Sequence, residues 1–302
     1  MTLDPDFGAI YARRGYRAKD ESLPEGATPL LAPGARLSYG LAGNLGWIGH
    51  YEAEDRAQGG TLLARACAAL KALGAQRAYG PLNGSTWHRY RLVLPAEDGG
   101  SPAFLGEPEN PRHYAADFKA AGFSEAETYQ SREALISDGL PHAESLPQRV
   151  QARYAPLIRP LNLERYDDEL KLIYDEAAES FDHNVLYAPA GLDEFLAIFR
   201  PLKALYDPEL VRLCVDAQGR LLGHVAAYPD GKRVILKTLS ARKEHRGRGL
   251  AHLLAYQIHD LAREKGYQSV VHAMMHDSNK SQGMSEPFGH LIRRYALFSR
   301  EL

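Results

Sequence analysis

The sequence contains little cysteine, little net charge and no long apolar run, and each absence excludes a class of protein. Its only cysteines, Cys67 and Cys214, form no Cys-x-x-Cys pair, which excludes a cysteine-built zinc site and leaves a disulfide open. A formal net charge of −2 argues against a general nucleic-acid-binding protein, which needs an excess of Lys and Arg. No apolar stretch approaches the ~20 residues that cross a bilayer.

The N-terminal residues also lack the apolar segment of a secretory signal, so we expect a cytoplasmic protein without a membrane partner. The chain has 302 residues, which suggests two domains at ~100–200 residues each. Residues 137–156 carry three prolines and no sustained periodicity, and we interpret them as an interdomain linker. The predicted domains are residues 1–140 and 155–302.

The second half of the chain alternates strand and helix patterns. Apolar residues at spacings of three and four, beginning at Leu170, predict a helix. A hairpin and a third strand follow, and then a second helix, whose apolar face starts at Leu250 and which ends at Gly266. The predicted strands cover residues 158–161, 211–216, 221–228, 233–241, 267–275 and 291–298.

The first half repeats part of this order. Residues 46–85 read as a strand, a turn with two glycines, a helix that ends at Gly74, and another strand. Arg56–Thr61 then occupies the place that Arg246–Ala251 holds in the second half, and Asn83 corresponds in order to Asn279. We interpret the two halves as a diverged duplication.

The stretch Arg246-Gly247-Arg248-Gly249-Leu250-Ala251, between a predicted strand and a predicted helix, has the composition of a phosphate-binding loop. The first N–H groups of a helix have no intrahelical partners, and together with the helix dipole they attract anions. Glycine lets the backbone approach a ligand, and arginine adds positive charge.

Two common phosphate motifs do not fit this stretch. A P-loop needs Gly-Lys-Ser/Thr after its glycines, where Leu250 and Ala251 stand here. The dinucleotide fingerprint needs a glycine or alanine three residues after its second glycine, where His252 stands.

The pattern Arg-x-x-Gly-x-Ala at Arg246, Gly249 and Ala251 resembles the pyrophosphate loop of the GNAT superfamily of N-acetyltransferases. The resemblance implies an α/β (α+β) fold of two tandem GNAT-like domains, each a mixed, mostly antiparallel sheet flanked by helices, with the first domain degenerate. It also implies an acetyl-CoA co-substrate and no metal. The residues that it assigns to acetyl-CoA are Leu239, Ala241, Arg246, Gly247, Arg248, Gly249, Leu250, Ala251, Asn279 and Ser281.

The residues that the family uses for proton transfer are missing from their usual places. Many relatives carry a glutamate on the fourth strand, but residues 233–241 contain no acid. Relatives also commonly have a tyrosine on the last helix, and residues 278–287 contain none. The alternatives for the base are Asp182, His183, His224 and His276, of which we select His276 as the catalytic residue because imidazole titrates near neutrality.

Other histidines need no functional interpretation. His252 and His259 are seven residues apart on one helix face, but no Cys or acid completes a metal site, and we expect both to be solvated.

The resemblance implies an N-acyltransferase that moves an acetyl group from acetyl-CoA to a primary amine by direct attack. The acceptor is a small-molecule amine or a peptide N-terminus, and the chain is a monomer or a homodimer. A non-catalytic acyl-CoA sensor or scaffold is the alternative, because the usual glutamate and tyrosine are missing. A nucleotide-binding protein of another fold is the third hypothesis.

Overall fold

The computed structural model describes residues 23–96, 101–180 and 191–302. Two of the candidate bases, Asp182 and His183, lie outside the described residues. The chain divides into two compact units. Unit 1 comprises the described residues up to position 96 together with residues 107–129 and 293–302, and unit 2 comprises residues 101–106 and 130–292, as far as they are described.

The units do not follow a simple linear division of the chain. Residues 101–106 belong to unit 2 because the Tyr228 hydroxyl donates to the Leu105 carbonyl at 2.8 Å and the Arg233 guanidinium donates to the carbonyl of Ala103 at 3.0 Å. The last ten residues belong to unit 1, where their strand pairs with residues 77–80. The division into domains 1–140 and 155–302 stays a prediction.

Unit 1 is built on a mixed sheet with the strand order β1-β2-β3-β4-β12. Strands β1 to β3 are antiparallel, and helix α1 connects β3 to its parallel neighbour β4. The elements are β1 (Thr28–Ala32), β2 (Ala35–Ala42), β3 (Leu45–Ala53), α1 (Arg56–Ala72), β4 (Arg77–Gly80), β5 (Leu92–Val93), α2 (Tyr114–Ala120), the first part of β6 (Ser124–Leu135) and most of β12 (His290–Glu301).

Unit 2 contains the strand order β6-β11-β10-β9-β8-β7. Strands β7 to β10 are antiparallel, and β10 and β11 are parallel. The elements are α3 (Gln148–Tyr154), β7 (Ile158–Pro160), α4 (Tyr166–Ser180), α5 (Leu192–Phe199), β8 (Val211–Val215), β9 (Leu221–Asp230), β10 (Arg233–Ala241), α6 (Leu250–Glu264), β11 (Ser269–His276) and α7 (Lys280–Ser285). The predicted mixed, mostly antiparallel sheet flanked by helices is confirmed.

The same succession of elements occurs in both units. An antiparallel hairpin leads into a helix, and the next strand then pairs in parallel with the second strand of the hairpin. This succession is β2-β3-α1-β4 in unit 1 and β9-β10-α6-β11 in unit 2. Parallel neighbours need such a crossover helix because a tight turn cannot connect them.

Helix α6 forms where the sequence predicts it. Leu250, Leu253, Leu254 and Ile258 share one face, and all four are fully buried in the core of unit 2. Gly266, with φ of +77°, follows the helix, and the Tyr267 N–H returns to the carbonyl of Ala262. Burial of each such leucine or isoleucine contributes about 1.5–3 kcal/mol to stability.

The interpretation of residues 137–156 as a linker is wrong. Leu140, Ala143, Val150 and Tyr154 are buried in the core of unit 2, and helix α3 packs against α6. Pro147 stands at the N-cap of α3, a position at which the missing N–H costs no helical hydrogen bond. The apolar face of α3 consists of Val150 and Tyr154, four residues apart, which is too short a pattern to show as periodicity.

The expectation that His259 is solvated is also wrong. Its side chain is fully buried, and its Nε2 lies 3.1 Å from Nε2 of His272 on β11. Burial lowers the pKa of His259 to about 4 and that of His272 to about 3. His252 on the same helix is exposed, as expected.

Both cysteines are buried and free, so the disulfide that the sequence leaves open does not form.

Within the described ranges, no helix is long and apolar enough to cross a membrane. No group of three or more His, Cys, Asp and Glu side chains that could hold a metal occurs in the same part of the chain.

The packing of α3 predicts a large difference in stability between two substitutions within one turn and a half of helix. We expect Tyr154→Ala to lower the free energy of unfolding by about 3–5 kcal/mol, because it leaves a cavity in the core. Arg149→Ala is the matched control on the exposed face and should change it by less than about 0.5 kcal/mol. Urea denaturation measures both, and equal small effects would restore the linker interpretation.

Candidate functional site

Strands β10 and β11 pair over only part of their length. The parallel pairing covers four residue pairs, from Arg233–Ser269 to Leu236–His272. Strand β10 then has a bulge at Lys237 and continues beside β9 to Ala241. In β11, Met274 has φ of +52° and donates its N–H to Ser131 Oγ at 2.9 Å. Among the described residues, no strand therefore pairs with the β11-facing edge of residues 238–241.

The glycine-rich loop lies at the end of that strand edge. After a short 3₁₀ turn at Lys243–His245, Gly247 has φ of +72° and Gly249, the N-cap of α6, has φ of +91°. These left-handed conformations favour glycine. Arg246 and Arg248 are exposed, and Arg246 Nε donates to the Ala241 carbonyl at 3.1 Å. A helix start without a capping side chain, flanked by two guanidinium groups, suits an anion.

Val150 of α3 supports the loop from inside unit 2. A Cβ added at Gly249 would lie 2.8 Å from Val150 Cγ2, whereas one added at Gly247 would meet no atom within 4 Å. Position 249 therefore requires glycine for two reasons, its positive φ and its close approach to α3. Position 247 requires glycine because of its positive φ alone.

The other residues predicted to bind acetyl-CoA fall into two groups. Leu239 and Ala241 lie on the unpaired end of β10, next to the loop, and Leu250 is fully buried, so that only its backbone is available. Ala251 is half-buried in the first turn of α6. Asn279 is the exposed N-cap of α7 and Ser281 lies in α7, so both follow β11 and not the loop.

The hydrogen bonds of His276 limit what it can do as a base. It ends β11, and its Nδ1 accepts the Ser278 N–H at 3.1 Å and lies 2.7 Å from Ser278 Oγ. A neutral imidazole with Nδ1 as acceptor carries its proton on Nε2. His276 in this state is a donor at Nε2, and Nδ1 can take a proton only after those bonds break.

A buried polar cluster under β10 contains the candidate base His224 together with Glu176 and Ser240, which the sequence analysis missed. Ser240 Oγ donates to Glu176 Oε2 at 2.5 Å, and His224 Nδ1 lies 3.1 Å from both Glu176 Oε2 and Ser240 Oγ. The exposed fractions are 0% for Glu176, 2% for His224 and 8% for Ser240. Glu176 Oε2 therefore accepts the Ser240 hydroxyl and lies within hydrogen-bonding distance of His224 Nδ1, in an environment closed to solvent.

The cluster lies on the face of the sheet opposite α6. His224 and Ser240 are directly paired across β9 and β10, one residue on from the pair Gly223–Ala241. A Cβ added at Gly223 would touch Leu250 of α6, so the Gly223 face is the α6 face, and the His224 face is covered by α4. The sequence did contain a signal, because Glu176 lies three residues after Ile173 on the apolar stripe of α4, where a charge is unexpected.

The corresponding strand edge in unit 1 is occupied by the unit's own groups. The Leu82 N–H donates to the Ile48 carbonyl at 2.8 Å, and the His50 N–H donates to Asn83 Oδ1 at 2.8 Å. The Ala53 N–H, at the end of β3, donates to the Tyr114 hydroxyl at 3.1 Å. An extended ligand would therefore have to displace these bonds from β3.

The start of α1 also differs from that of α6. Asp55 caps α1 by accepting the Gln58 N–H at 2.9 Å. Asp117, fully buried, lies 3.5 Å from Arg56 Nε and accepts the Tyr51 hydroxyl at 3.0 Å. Burial raises the pKa of Asp117. The start of α1 thus has a carboxylate at its N-cap that already satisfies a helix N–H, whereas the start of α6 has a glycine and no capping side chain.

A family model matches the part of the chain that contains the loop. Residues 170–289 match the acetyltransferase (GNAT) family, and the matched segment includes β10, the loop, α6 and β11. No curated protein matches the sequence.

Solved structures share the fold over nearly the whole chain. A GCN5-related N-acetyltransferase from Sphaerobacter thermophilus is 15% identical, with a TM-score of 0.53 over 97% of this chain and 90% of its own. A conserved protein from Enterococcus faecalis V583, described as a probable N-acyltransferase, is 10% identical, with a TM-score of 0.59 over 98% and 69%. A tandem GNAT protein from the clavulanic acid biosynthesis pathway is 16% identical, with a TM-score of 0.50 over 98% and 93%. At these identities the likeness shows the fold alone, which is that of GNAT proteins.

The two loop glycines should differ in their tolerance of a side chain. Gly247→Ala should cost about 1–2 kcal/mol of unfolding free energy, because alanine is strained at this φ. Gly249→Ala should cost about 1–3 kcal/mol more, since the new Cβ also overpacks against Val150. Thermal or urea unfolding of both variants measures the difference, and equal losses would contradict the contact with α3.

Proposed function

We propose that unit 2 is an acyl-CoA-dependent N-acyltransferase, which moves an acetyl group from acetyl-CoA to a primary amine. The observation that carries the proposal is the continuity of the unpaired edge of β10 with the arginine- and glycine-rich start of α6. This continuous surface offers strand-like backbone partners followed by an anion site. The family match over residues 170–289 supports acyl transfer in general.

The chemistry of acetyl-CoA fits the two parts of this surface. The amides of its pantetheine arm would pair with the backbone near Leu239 and Ala241, as an added strand does. Its pyrophosphate would take the N–H groups and guanidinium groups of residues 246–251. Asn279 and Ser281, at the start of α7, are proposed to contact the remainder of the molecule.

The buried cluster brings a carboxylate, that of Glu176, to β10, which has no acidic residue of its own. The thioester supplies an electrophilic carbonyl, whose carbon forms a bond to the amine nitrogen while its bond to sulfur breaks. The sulfur leaves as the CoA thiolate, which takes the second proton that the amine nitrogen loses as the amide forms. The amine must lose a proton before it attacks. In our proposal this proton passes to Ser240 Oγ while the Ser240 hydroxyl proton passes to Glu176, which His224 holds in place. His276 is the alternative base, and its use requires loss of its bonds to Ser278.

Unit 1 is proposed to be a degenerate domain that binds no acyl-CoA. Its strand edge is occupied by Leu82, Asn83 and Tyr114, and its helix start carries carboxylates. We therefore expect one acyl-CoA site in each chain.

Binding tests the proposal independently of the acceptor. Titration calorimetry should show one acetyl-CoA bound per chain, and Arg248→Glu should raise Kd by about tenfold or more, because a charge-assisted contact to phosphate is lost. Lys232→Glu is the matched control: Lys232 is exposed and lies in the β9–β10 turn. Absence of binding, or tight ATP or NAD binding without competition from CoA, would reject the proposal.

Turnover tests the acceptor class and the base. A panel of small-molecule amines and peptide N-termini, assayed by release of free thiol, should contain an acceptor. Glu176→Gln should then lower kcat by about 100-fold with little change in the KM for acetyl-CoA, and the loss should shrink at high pH, where the amine is already neutral. Loss of turnover in His276→Gln but not in Glu176→Gln would assign the base to His276. Tight acetyl-CoA binding with no turnover on any amine would favour the sensor hypothesis.

A further inference from the structure

Helix α3, which lies outside the segment that the family model matches, reaches the loop through a second contact. Tyr154, the last residue of α3, is fully buried, and its hydroxyl lies 3.1 Å from Nδ1 of His245. The two rings meet edge to face with their centroids 5.8 Å apart. His245 directly precedes Arg246 and is half-buried.

The protonation of His245 determines what this contact does. Burial lowers the pKa of His245, and the nearby Arg153, Arg220 and Arg248 lower it further, while Glu244 opposes them. The ring is therefore neutral at pH 7 and has one donor nitrogen and one acceptor nitrogen. In the tautomer that accepts the Tyr154 hydroxyl at Nδ1, the proton of the ring is on Nε2.

We propose that Tyr154 is a positioning residue for anion binding at the loop: it fixes the tautomer and orientation of His245 so that Nε2–H donates to a phosphate oxygen of acyl-CoA. Second partners of a histidine commonly determine which nitrogen is available to a ligand. The inference rests on the proposed function and extends its site to α3. A neutral donor is suited to this position because it adds no further charge among three arginines.

A double-mutant cycle on acetyl-CoA binding tests the proposal. His245→Ala should raise Kd by about tenfold, since it removes one hydrogen bond to a charged phosphate. Tyr154→Phe keeps the buried ring and should raise Kd by about fivefold. The double variant should be no weaker than His245→Ala alone, because Tyr154 acts through His245. His245→Gln, whose amide can still donate, should recover most of the affinity.

The matched control is Tyr256→Phe, which removes a hydroxyl from α6, where the ring packs against His252 and His259. It should leave Kd unchanged. A phosphate-free ligand, S-acetylpantetheine, separates the two parts of the site. Its dissociation constant, measured by competition with acetyl-CoA, should be the same for the wild type and Tyr154→Phe. A general distortion of unit 2 would raise this constant in Tyr154→Phe. Melting temperatures identify any variant that fails to fold. If Tyr154→Phe fails to fold, the comparison of His245→Gln with His245→Ala still tests whether a donor at position 245 contributes to binding.

Three results would overturn the inference while leaving the proposed function intact. These are wild-type affinity in Tyr154→Phe, equal loss for acetyl-CoA and S-acetylpantetheine, and additive losses in the double variant. Failure of the wild type to bind acetyl-CoA rejects the proposed function itself, and the role of Tyr154 with it.

Discussion

The early end of the β10–β11 pairing is the constraint on which the candidate site depends. Two parallel strands that remained paired throughout would satisfy each other's backbone groups and leave no edge for a ligand. Here the pairing stops after Leu236–His272, the bulge at Lys237 redirects β10, and the strand continues beside β9 as far as the loop. The end of β10 that has no strand partner on its β11 side therefore leads directly, through the loop, to the first N–H groups of α6.

Both units use the same succession of elements but satisfy the corresponding backbone groups differently. In unit 1 the chain itself supplies the partners, through Leu82, Asn83 and Tyr114, and Asp55 caps the helix. In unit 2 the N-cap is Gly249 in place of Asp55, and Arg246 and Arg248 precede it. A shared fold thus needs only a few side-chain changes to fill or to expose the same edge.

The support of the loop comes from a segment that the family pattern does not include. Val150 packs beneath Gly249, and Tyr154 contacts His245, so α3 determines the position of the loop from the side away from solvent. On the opposite face of the sheet, Glu176, His224 and Ser240 satisfy one another in a buried cluster. A buried carboxylate without such partners would cost several kcal/mol, so we infer that the three residues act as a set.

The sequence by itself predicted strands β7 to β11, helices α4 and α6 and the position of the loop, because these depend on local signals. These signals are apolar residues three and four apart in α6, and glycines alternating with arginines in the loop. Only the tertiary structure decided the placement of β12 in unit 1, the packing of α3 and the meeting of Glu176 with Ser240. Strand pairing and buried polar contacts join residues far apart in the chain, for example Glu176 and Ser240 or Phe298 and Gly80, and no local pattern encodes such partners.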